Sequence, residues 1–193
     1  MVRVKKTKNA RLSQGDILRD VEHIEYVSEK DGNIEISKIL FPLVIVLTQD
    51  CDLAQDYKFR WSKYNAKTDD KLLLSVLVAP LYNIEHVYSG EHLIELNLKM
   101  EEINRKKTDG KRLRNNETPR FHYLEFQSDI PIVPSVIDFK HYFSSNIVYL
   151  KKLKATNFVC QLAELYREDV SQRFSSFLAR IGLPVKKKEV FTI

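Results

Sequence analysis

The sequence predicts an α+β protein in which one long C-terminal helix covers a β-sheet, and three observations support this. Two short apolar runs, at 43–47 and 72–79, lack alternation and are typical of strands buried on both faces. The dipeptide Asp31-Gly32 lies between alternating segments and indicates a β-hairpin. Over 157–181, apolar residues recur with the 3.6-residue period of a helix.

The strands are expected in the following order. A strand, a hairpin and a return strand should occupy 16–48. The second buried run should end at Pro80, because proline cannot donate to a strand ladder. Shorter strands are expected at 119–126, 136–139 and 147–150.

The C-terminal helix is expected to pack across the sheet. Gly182 fits the position that follows a helix, and Pro184 prevents its continuation. The apolar stripe that should face the core comprises Val159, Leu162, Ala163, Tyr166, Val170, Phe174, Phe177, Leu178 and Ile181.

Positive charge is concentrated in three segments of this 193-residue chain, whose net charge is +5. Residues 1–11 carry five Lys and Arg and no acid, and 99–114 carry seven against three acids. Residues 186–189 add three lysines beside Glu189. Such segments can follow a phosphate backbone, and the alternative is solvated surface. We expect a single domain with a basic insertion at 83–116, helical in its first part and without regular structure from Arg105 onward.

Several classes of protein are not expected. The longest apolar run is far shorter than the ~18 residues needed to span a bilayer, and the basic N-terminus has no apolar segment behind it, so we expect no membrane association. Cys51 and Cys160 are expected to be reduced thiols in a cytoplasmic protein. Motifs of zincins, zinc fingers, P-loop NTPases and α/β-hydrolases are missing from the sequence, and no cofactor is expected.

The stretch 41–53 holds the first candidate site, because a buried strand ends there in a polar cluster. Cys51 is a candidate nucleophile, flanked by Asp50 and Asp52 as candidate catalytic carboxylates. Its base would come from the five histidines, of which His122 is the best candidate; the others are His23, His86, His92 and His141. The alternative is that Cys51 is a small, buried and inert residue.

The same carboxylates admit a metal-binding interpretation. Asp50 and Asp52 would converge if the chain were extended, and Asp138 at another strand end could complete an oxygen site for a divalent cation. The competing interpretation is that they are turn and cap residues, and no metal is expected.

A second candidate site lies in the strand around Arg120. Arg120 and His122 could act on a phosphodiester, the first by stabilising charge and the second by transferring a proton. The alternative is a strand whose arginine and histidine face solvent. Further candidate nucleic-acid contacts are Thr48, Gln49, Tyr123, Arg105, Lys106, Lys107, Lys111, Arg112 and Arg114.

The N-terminal part resembles MazF/PemK-type toxins. The resemblance is carried by Gln14-Gly15-Asp16-Ile17, a hairpin, and the strand from Phe41-Pro42 to Thr48. It covers about 40 residues and implies an SH3-like or otherwise strongly curved β-barrel. Members of this family cleave single-stranded RNA with an arginine before that proline. Phe41 stands at that position here, so the resemblance supports the barrel better than the activity.

The whole chain also resembles uncharacterised bacterial and phage-borne proteins. The shared segments are TQDCDL at 48–53, RFHYL at 120–124 and the closing helix. This resemblance implies that the first two segments belong to one site.

Three functional hypotheses follow. The first is a cytoplasmic protein of toxin–antitoxin or phage-defence type that associates with RNA or DNA, with endoribonuclease activity as one form of this hypothesis. The second is a non-catalytic subunit that docks on a partner protein through Tyr57, Phe59 and Trp61. The third is a Cys51-dependent enzyme.

Overall fold

The computed structural model describes residues 1–61 and 68–180. Its eight strands are β1 (Val4–Lys5), β2 (Asp16–Lys30), β3 (Asn33–Val46), β4 (Ser75–Asn83), β5 (Phe121–Leu124), β6 (Ser135–Asp138), β7 (Phe143–Asn146) and β8 (Phe158–Leu162). Its five α-helices are α1 (Asp50–Trp61), α2 (Ile84–Ser89), α3 (Thr108–Arg114), α4 (Ile147–Asn157) and α5 (Glu164–Leu178). Two 3₁₀ turns occupy Ile94–Leu96 and Phe139–His141.

The strands form one antiparallel, strongly curled sheet, which confirms the predicted fold class. Their order is β1-β8-β2-β3-β4-β6-β5, and β7 also pairs with β4. The first and last strands in this order lie close together, as shown by a hydrogen bond of 2.7 Å from the Val2 amide to the Glu125 carbonyl. Val2 lies just before β1 and Glu125 just after β5, so the curvature brings the first and last strands together.

The predicted hairpin is confirmed. β2 and β3 pair from Ile17 with Ile45 to Lys30 with Asn33. Asp31 and Gly32 connect them with φ angles of 52° and 76°, the left-handed backbone of a type I′ turn, in which glycine is favoured. Only the base of this hairpin belongs to the wider sheet, because β8 pairs with Asp16–Leu18 and β4 with Val44–Val46.

The second apolar run is a strand, but the expectation that Pro80 ends it is wrong. β4 continues through Pro80 to Asn83. On one side it pairs with β7 up to Val78 and with β6 from Leu81 onward. Pro80 therefore lies between the part of β4 that pairs with β7 and the part that pairs with β6. Because neither strand pairs with Pro80, its missing N–H group removes no hydrogen bond to β6 or β7.

Both faces of the central strands are buried, as the missing alternation predicts. One face of the sheet packs against α5, where Val170 and Phe174 meet Ile17 and Ile45. Residues from the opposite face pack with α1 and α4 in a second core, whose buried members are Leu12, Leu18, Val21, Val44, Val46, Leu53, Val76, Val78, Ile147 and Leu150.

Two elements differ from the sequence prediction near the C-terminus. The segment 147–150, expected as a strand, begins α4, and Asn146 caps that helix by accepting from the amides of Val148 and Tyr149. The helix expected over 157–181 begins only at Glu164, because the preceding residues form β8. Its predicted stop at Gly182 and Pro184, and the lysines at 186–188, lie outside the described residues.

The basic insertion is ordered, contrary to the expectation for residues from Arg105 onward. α3 buries Leu113 in a third core with Val87 and Tyr88 of α2. A Cβ atom at Gly110 would lie 2.5 Å from the Arg105 Cα atom, so the chain packs closely against itself here. The first part of the insertion is less helical than expected, with α2 and one 3₁₀ turn separated by loops.

Candidate functional site at the start of helix α1

Cys51 lies in the first turn of α1, shortly after the buried end of β3 at Val44–Val46. Thr48 anchors the connection because its hydroxyl accepts from the Leu77 amide at 2.7 Å. The Cys51 side chain is exposed, so the alternative in which this residue is buried is wrong. It borders an open pocket of about 380 Å³ lined by Gln14, Gln49, Asp50, Cys51, Arg167, Glu168, Ser171, Gln172 and Ser175.

Asp50 is held from three directions. The Arg11 guanidinium donates to both of its carboxylate oxygens, at 3.0 and 2.6 Å, and the Gln14 amide donates at 3.2 Å. Arg167 of α5 approaches to 3.5 Å. Burial acts to raise the pKa of Asp50, but the hydrogen bonds and charge of Arg11 outweigh it and lower that pKa. Asp50 is therefore an ionised anchor that joins the N-terminal segment, α1 and α5.

A buried ion pair between Lys154 and Asp16 contacts the backbone of Arg11. Lys154 of α4 donates to Asp16 at 2.7 Å, to the Asn9 side chain at 2.7 Å and to the Arg11 carbonyl at 2.6 Å. Burial raises the pKa of Asp16 to about 6 against the attraction of Lys154, and burial also lowers the pKa of Lys154. Because Lys154 fixes the Arg11 backbone, this pair positions the arginine that holds Asp50.

In the part of the chain that the structure describes, which includes all five histidines, none lines the pocket beside the Cys51 sulfur. Its hydrogen-bond contacts are the side-chain oxygens of Gln49 and Asp52, each at 3.7 Å. Since α1 already begins at Asp50, Asp50 and Asp52 lie two residues apart on a helix and point in different directions. The convergence required by the cation site of Asp50, Asp52 and Asp138 is therefore absent.

The Arg120 segment does not join this pocket. Arg120 forms a bidentate ion pair with the fully buried carboxylate of Asp138. His122 is only 2% exposed, and burial lowers its pKa to about 3. Tyr123 is buried as well. The alternative in which Arg120 and His122 face solvent is therefore wrong for His122, and the described residues that line the Cys51 pocket include none of 120–124.

The basic residues of the insertion lie at the surface. Arg105 pairs with Glu85 at 2.9 Å. Arg114 places its guanidinium 5.9 Å from the Tyr123 ring centroid. The side chains of Lys106, Lys107, Lys111 and Arg112 are exposed, and no ion pair to them occurs within 1–61 and 68–180.

The aromatic residues proposed as protein anchors give no clear support for docking. Tyr57, Phe59 and Trp61 of α1 are half-buried. The Lys151 ammonium of α4 lies 4.9 Å from the Trp61 ring centroid, so this ring packs inside the molecule on at least one side.

Sequence reasoning found Asp50 and Cys51 but missed the residues that surround them. Arg11 belongs to a basic segment expected to be flexible, and Arg167 lies on a helix whose polar face was expected to meet solvent. The segment Gln14-Gly15-Asp16 was recognised only as part of a fold motif. No local pattern connects these residues with Asp50, because the contacts form only when α4, α5 and the hairpin pack together.

Comparisons with known proteins assign no family. No protein-family model matches the chain, and no curated protein matches it. Among the residues described, none of the helices combines the length and the apolar character that crossing a bilayer requires.

Proposed function

We propose that the protein binds RNA or DNA through the surface of α3 and the turn before it, a segment that we call the cationic segment (105–114). One observation supports this proposal above all. Lys106, Lys107, Lys111 and Arg112 lie close together in the chain, are exposed and carry no ion-pair partner in the described residues. Three other cations, Arg11, Arg60 and Arg120, are by contrast paired with carboxylates.

The backbone of the cationic segment is fixed, which favours binding. Leu113 is 1% exposed and anchors α3 in the third core. Lys111, Arg112 and Arg114 lie in the last turn of this helix. A set of like charges held on an ordered backbone attracts phosphates and loses little freedom on binding.

The proposal is for binding and not for cleavage. The arginine of the toxin family is replaced by Phe41, Arg120 is neutralised by Asp138, and His122 is buried. Contacts from lysine and arginine to phosphates position a nucleic acid without reading its sequence. We therefore propose sequence-independent binding within the toxin–antitoxin or phage-defence role that the sequence resemblance suggests.

The salt dependence of binding tests this proposal. Wild type is titrated with a mixed-sequence single-stranded RNA at several salt concentrations, beside the variant Lys106→Ala, Lys107→Ala, Lys111→Ala. Each phosphate contact on a single strand contributes about −0.7 to the slope of log affinity against log salt. We expect the variant to bind more weakly, with a slope shallower by about two.

The matched control removes the same charge elsewhere. Lys30, Lys71 and Lys152 are exposed residues of other segments, and their triple alanine variant should retain the wild-type slope. Equal slopes for both triple variants would show that net charge, and not the cationic segment, governs binding. Binding that does not weaken with salt would contradict the proposal as a whole.

A second candidate function, docking on a partner protein, is favoured by the projecting hairpin. Beyond the base of the sheet, β2 and β3 pair only with each other. Side chains alternate along a strand, so Ile34, Ile36 and Leu40 share one face of β3. The register places Val27 opposite Ile36 and, after a bulge, Ile24 opposite Lys38, on that same face.

These five apolar residues form what we call the ribbon stripe: Ile24, Val27, Ile34, Ile36 and Leu40. Each is 55–71% exposed. Along β3 the stripe extends about 20 Å, at ~3.3 Å per residue. A one-sided apolar surface of this kind on a projecting element is typical of protein-binding surfaces.

Site-specific photo-cross-linking tests the ribbon stripe. A photoreactive residue replaces Ile36 in one variant and Leu74, which is 91% exposed and not part of the hairpin, in a control. We expect a discrete adduct with another protein from position 36 only, lost when Ile34→Ser is added. An adduct of twice the chain mass would instead indicate self-association, and no adduct at position 36 would contradict docking.

A further inference from the structure

Three side chains that commonly bind transition metals meet at the end of β6, away from the Cys51 pocket. They are His92, Asp138 and His141, and one ligand atom from each lies within 4.8 Å of the others. His141 Nδ1 and an Asp138 carboxylate oxygen are 3.4 Å apart, close to the separation of two ligands on one tetrahedral metal ion. We call these three residues the His₂Asp cluster.

Local structure explains why the cluster forms. Asp138 ends β6 and caps the following 3₁₀ turn by accepting from the Lys140 amide at 3.0 Å. In a 3₁₀ turn, residues three apart lie one above the other, so His141 is placed on the same side as Asp138. His92 is brought in by the turn after α2, in which Gly90 is left-handed and a Cβ atom would lie 2.3 Å from the Met100 carbonyl oxygen.

The cluster contains buried polar atoms that make no hydrogen bond within residues 1–61 and 68–180. They are both ring nitrogens of His92, the hydroxyl of nearby Tyr82, and Nδ1 of His141, whose contact with Asp138 is the ion-pair approach at 3.4 Å. The Tyr82 and His92 ring centroids are 4.9 Å apart. Leaving a buried polar atom unpaired is unfavourable, so several such atoms at one place indicate a missing ligand.

We propose that His92, Asp138 and His141 bind one divalent transition-metal ion, with zinc as the reference ion. Two imidazoles and one carboxylate are the donor set of zinc sites that keep a fourth position open. The set differs from the all-oxygen donors that magnesium and calcium prefer.

The groups around the cluster fit this role. Arg120 holds both Asp138 oxygens and so orients the carboxylate, as outer-shell groups do at metal sites. His92 and Tyr82 line a cavity of about 360 Å³ between the base of the hairpin and the loop after α2, so the cluster lies beside a cavity on its His92 side.

Metal binding by the purified chain tests the proposal directly. Metal-stripped protein is titrated with zinc by calorimetry and with cobalt by absorption spectroscopy, since cobalt in a tetrahedral site shows characteristic visible bands. We expect one equivalent of each ion and a rise in melting temperature with zinc. His92→Ala should weaken zinc affinity about 100-fold or more, because outer-shell changes alone cost 10–100-fold.

Two controls separate this cluster from other ligands. His86→Ala removes an exposed histidine of the neighbouring helix, and Cys51→Ser removes the exposed thiol. Both should bind zinc like wild type. The proposal is overturned if zinc binds below one equivalent, if cobalt gives only the spectrum of the hydrated ion, or if His92→Ala binds as tightly as wild type. Because His92 lies in a loop, its alanine variant should fold, and its circular dichroism is compared with wild type.

Discussion

Replacing Lys154 by methionine is expected to lower the free energy of unfolding by about 3–5 kcal/mol at pH 7.5. The ammonium is 2% exposed and is the charge partner of the fully buried Asp16. Its removal leaves an unpaired buried carboxylate, which costs far more than the ion pair itself contributes. Urea denaturation of wild type and variant measures the difference.

The pH dependence of this loss follows from the pKa of Asp16. That pKa is already about 6 in the folded protein, against 3.8 as its ordinary value. Without Lys154 it should rise further, because the attraction that opposes burial is gone. As pH falls from 7.5 to 5, the lone carboxyl becomes protonated in the folded variant, and we expect the stability difference from wild type to shrink.

Two further variants distinguish the ion pair from the loss of a long side chain. Lys152→Met changes an exposed lysine of the same helix and should alter stability by no more than about 0.5 kcal/mol. The double variant Asp16→Asn, Lys154→Met removes both charges and should recover part of the loss. A loss below 1 kcal/mol for Lys154→Met alone would mean that the pair is not buried as described.

The fold could be predicted where the signal is local. Asp31 and Gly32 determine their hairpin through backbone conformations available to few residues, and β4 is evident from apolar residues that cover both faces. By contrast, β8 lies at the start of a segment in which apolar residues recur with the period of a helix. Val159 and Leu162 fit the helical period, yet pairing of this segment with β1 and β2 makes it a strand.

The α4 error has a different cause. Ile147 and Val148 are β-branched and favour a strand, but Asn146 just before them accepts hydrogen bonds from two amides and begins a helix. The capping asparagine therefore decides the structure of this segment against the strand preference of the two residues that follow it.

The candidate sites show the same division between local and long-range information. Asp50 and Cys51 stand out because a buried strand ends beside them. Arg11, 39 residues away, and Arg167 of α5 reach Asp50 only through tertiary packing. His92 likewise comes to Asp138 through the loop after α2, and no spacing in the sequence relates the two.

Below pH 6.5, stability is expected to acquire a steep dependence on pH through His122. Burial lowers its folded pKa to about 3 from the ordinary value of 6.5, and the charge of Arg173 acts in the same direction. Between these two values the unfolded chain binds a proton at this position that the folded chain does not. Stability from this group is therefore lost as pH falls, by about 1.4 kcal/mol per pH unit.

A variant comparison isolates this contribution, since Asp16 titrates in the same range with the opposite sign. The folded pKa of Asp16 is raised, so its contribution to stability increases as pH falls from about 6 toward 3.8. His122→Asn removes only the histidine. The stability of wild type relative to this variant should fall by about 2 kcal/mol between pH 6.5 and 4.5, as measured by urea denaturation at each pH.

The control for His122→Asn is a core change that introduces no titration. Ile137 lies directly opposite His122 on β6 and is fully buried, so Ile137→Val should cost about 0.5–1.5 kcal/mol at every pH. If the His122→Asn difference were equally flat, His122 would have to be protonated within the folded protein. Asp169 of α5, 3.9 Å from the imidazole, would then be the carboxylate partner of the protonated His122. A flat profile would therefore contradict the neutral, buried histidine described here.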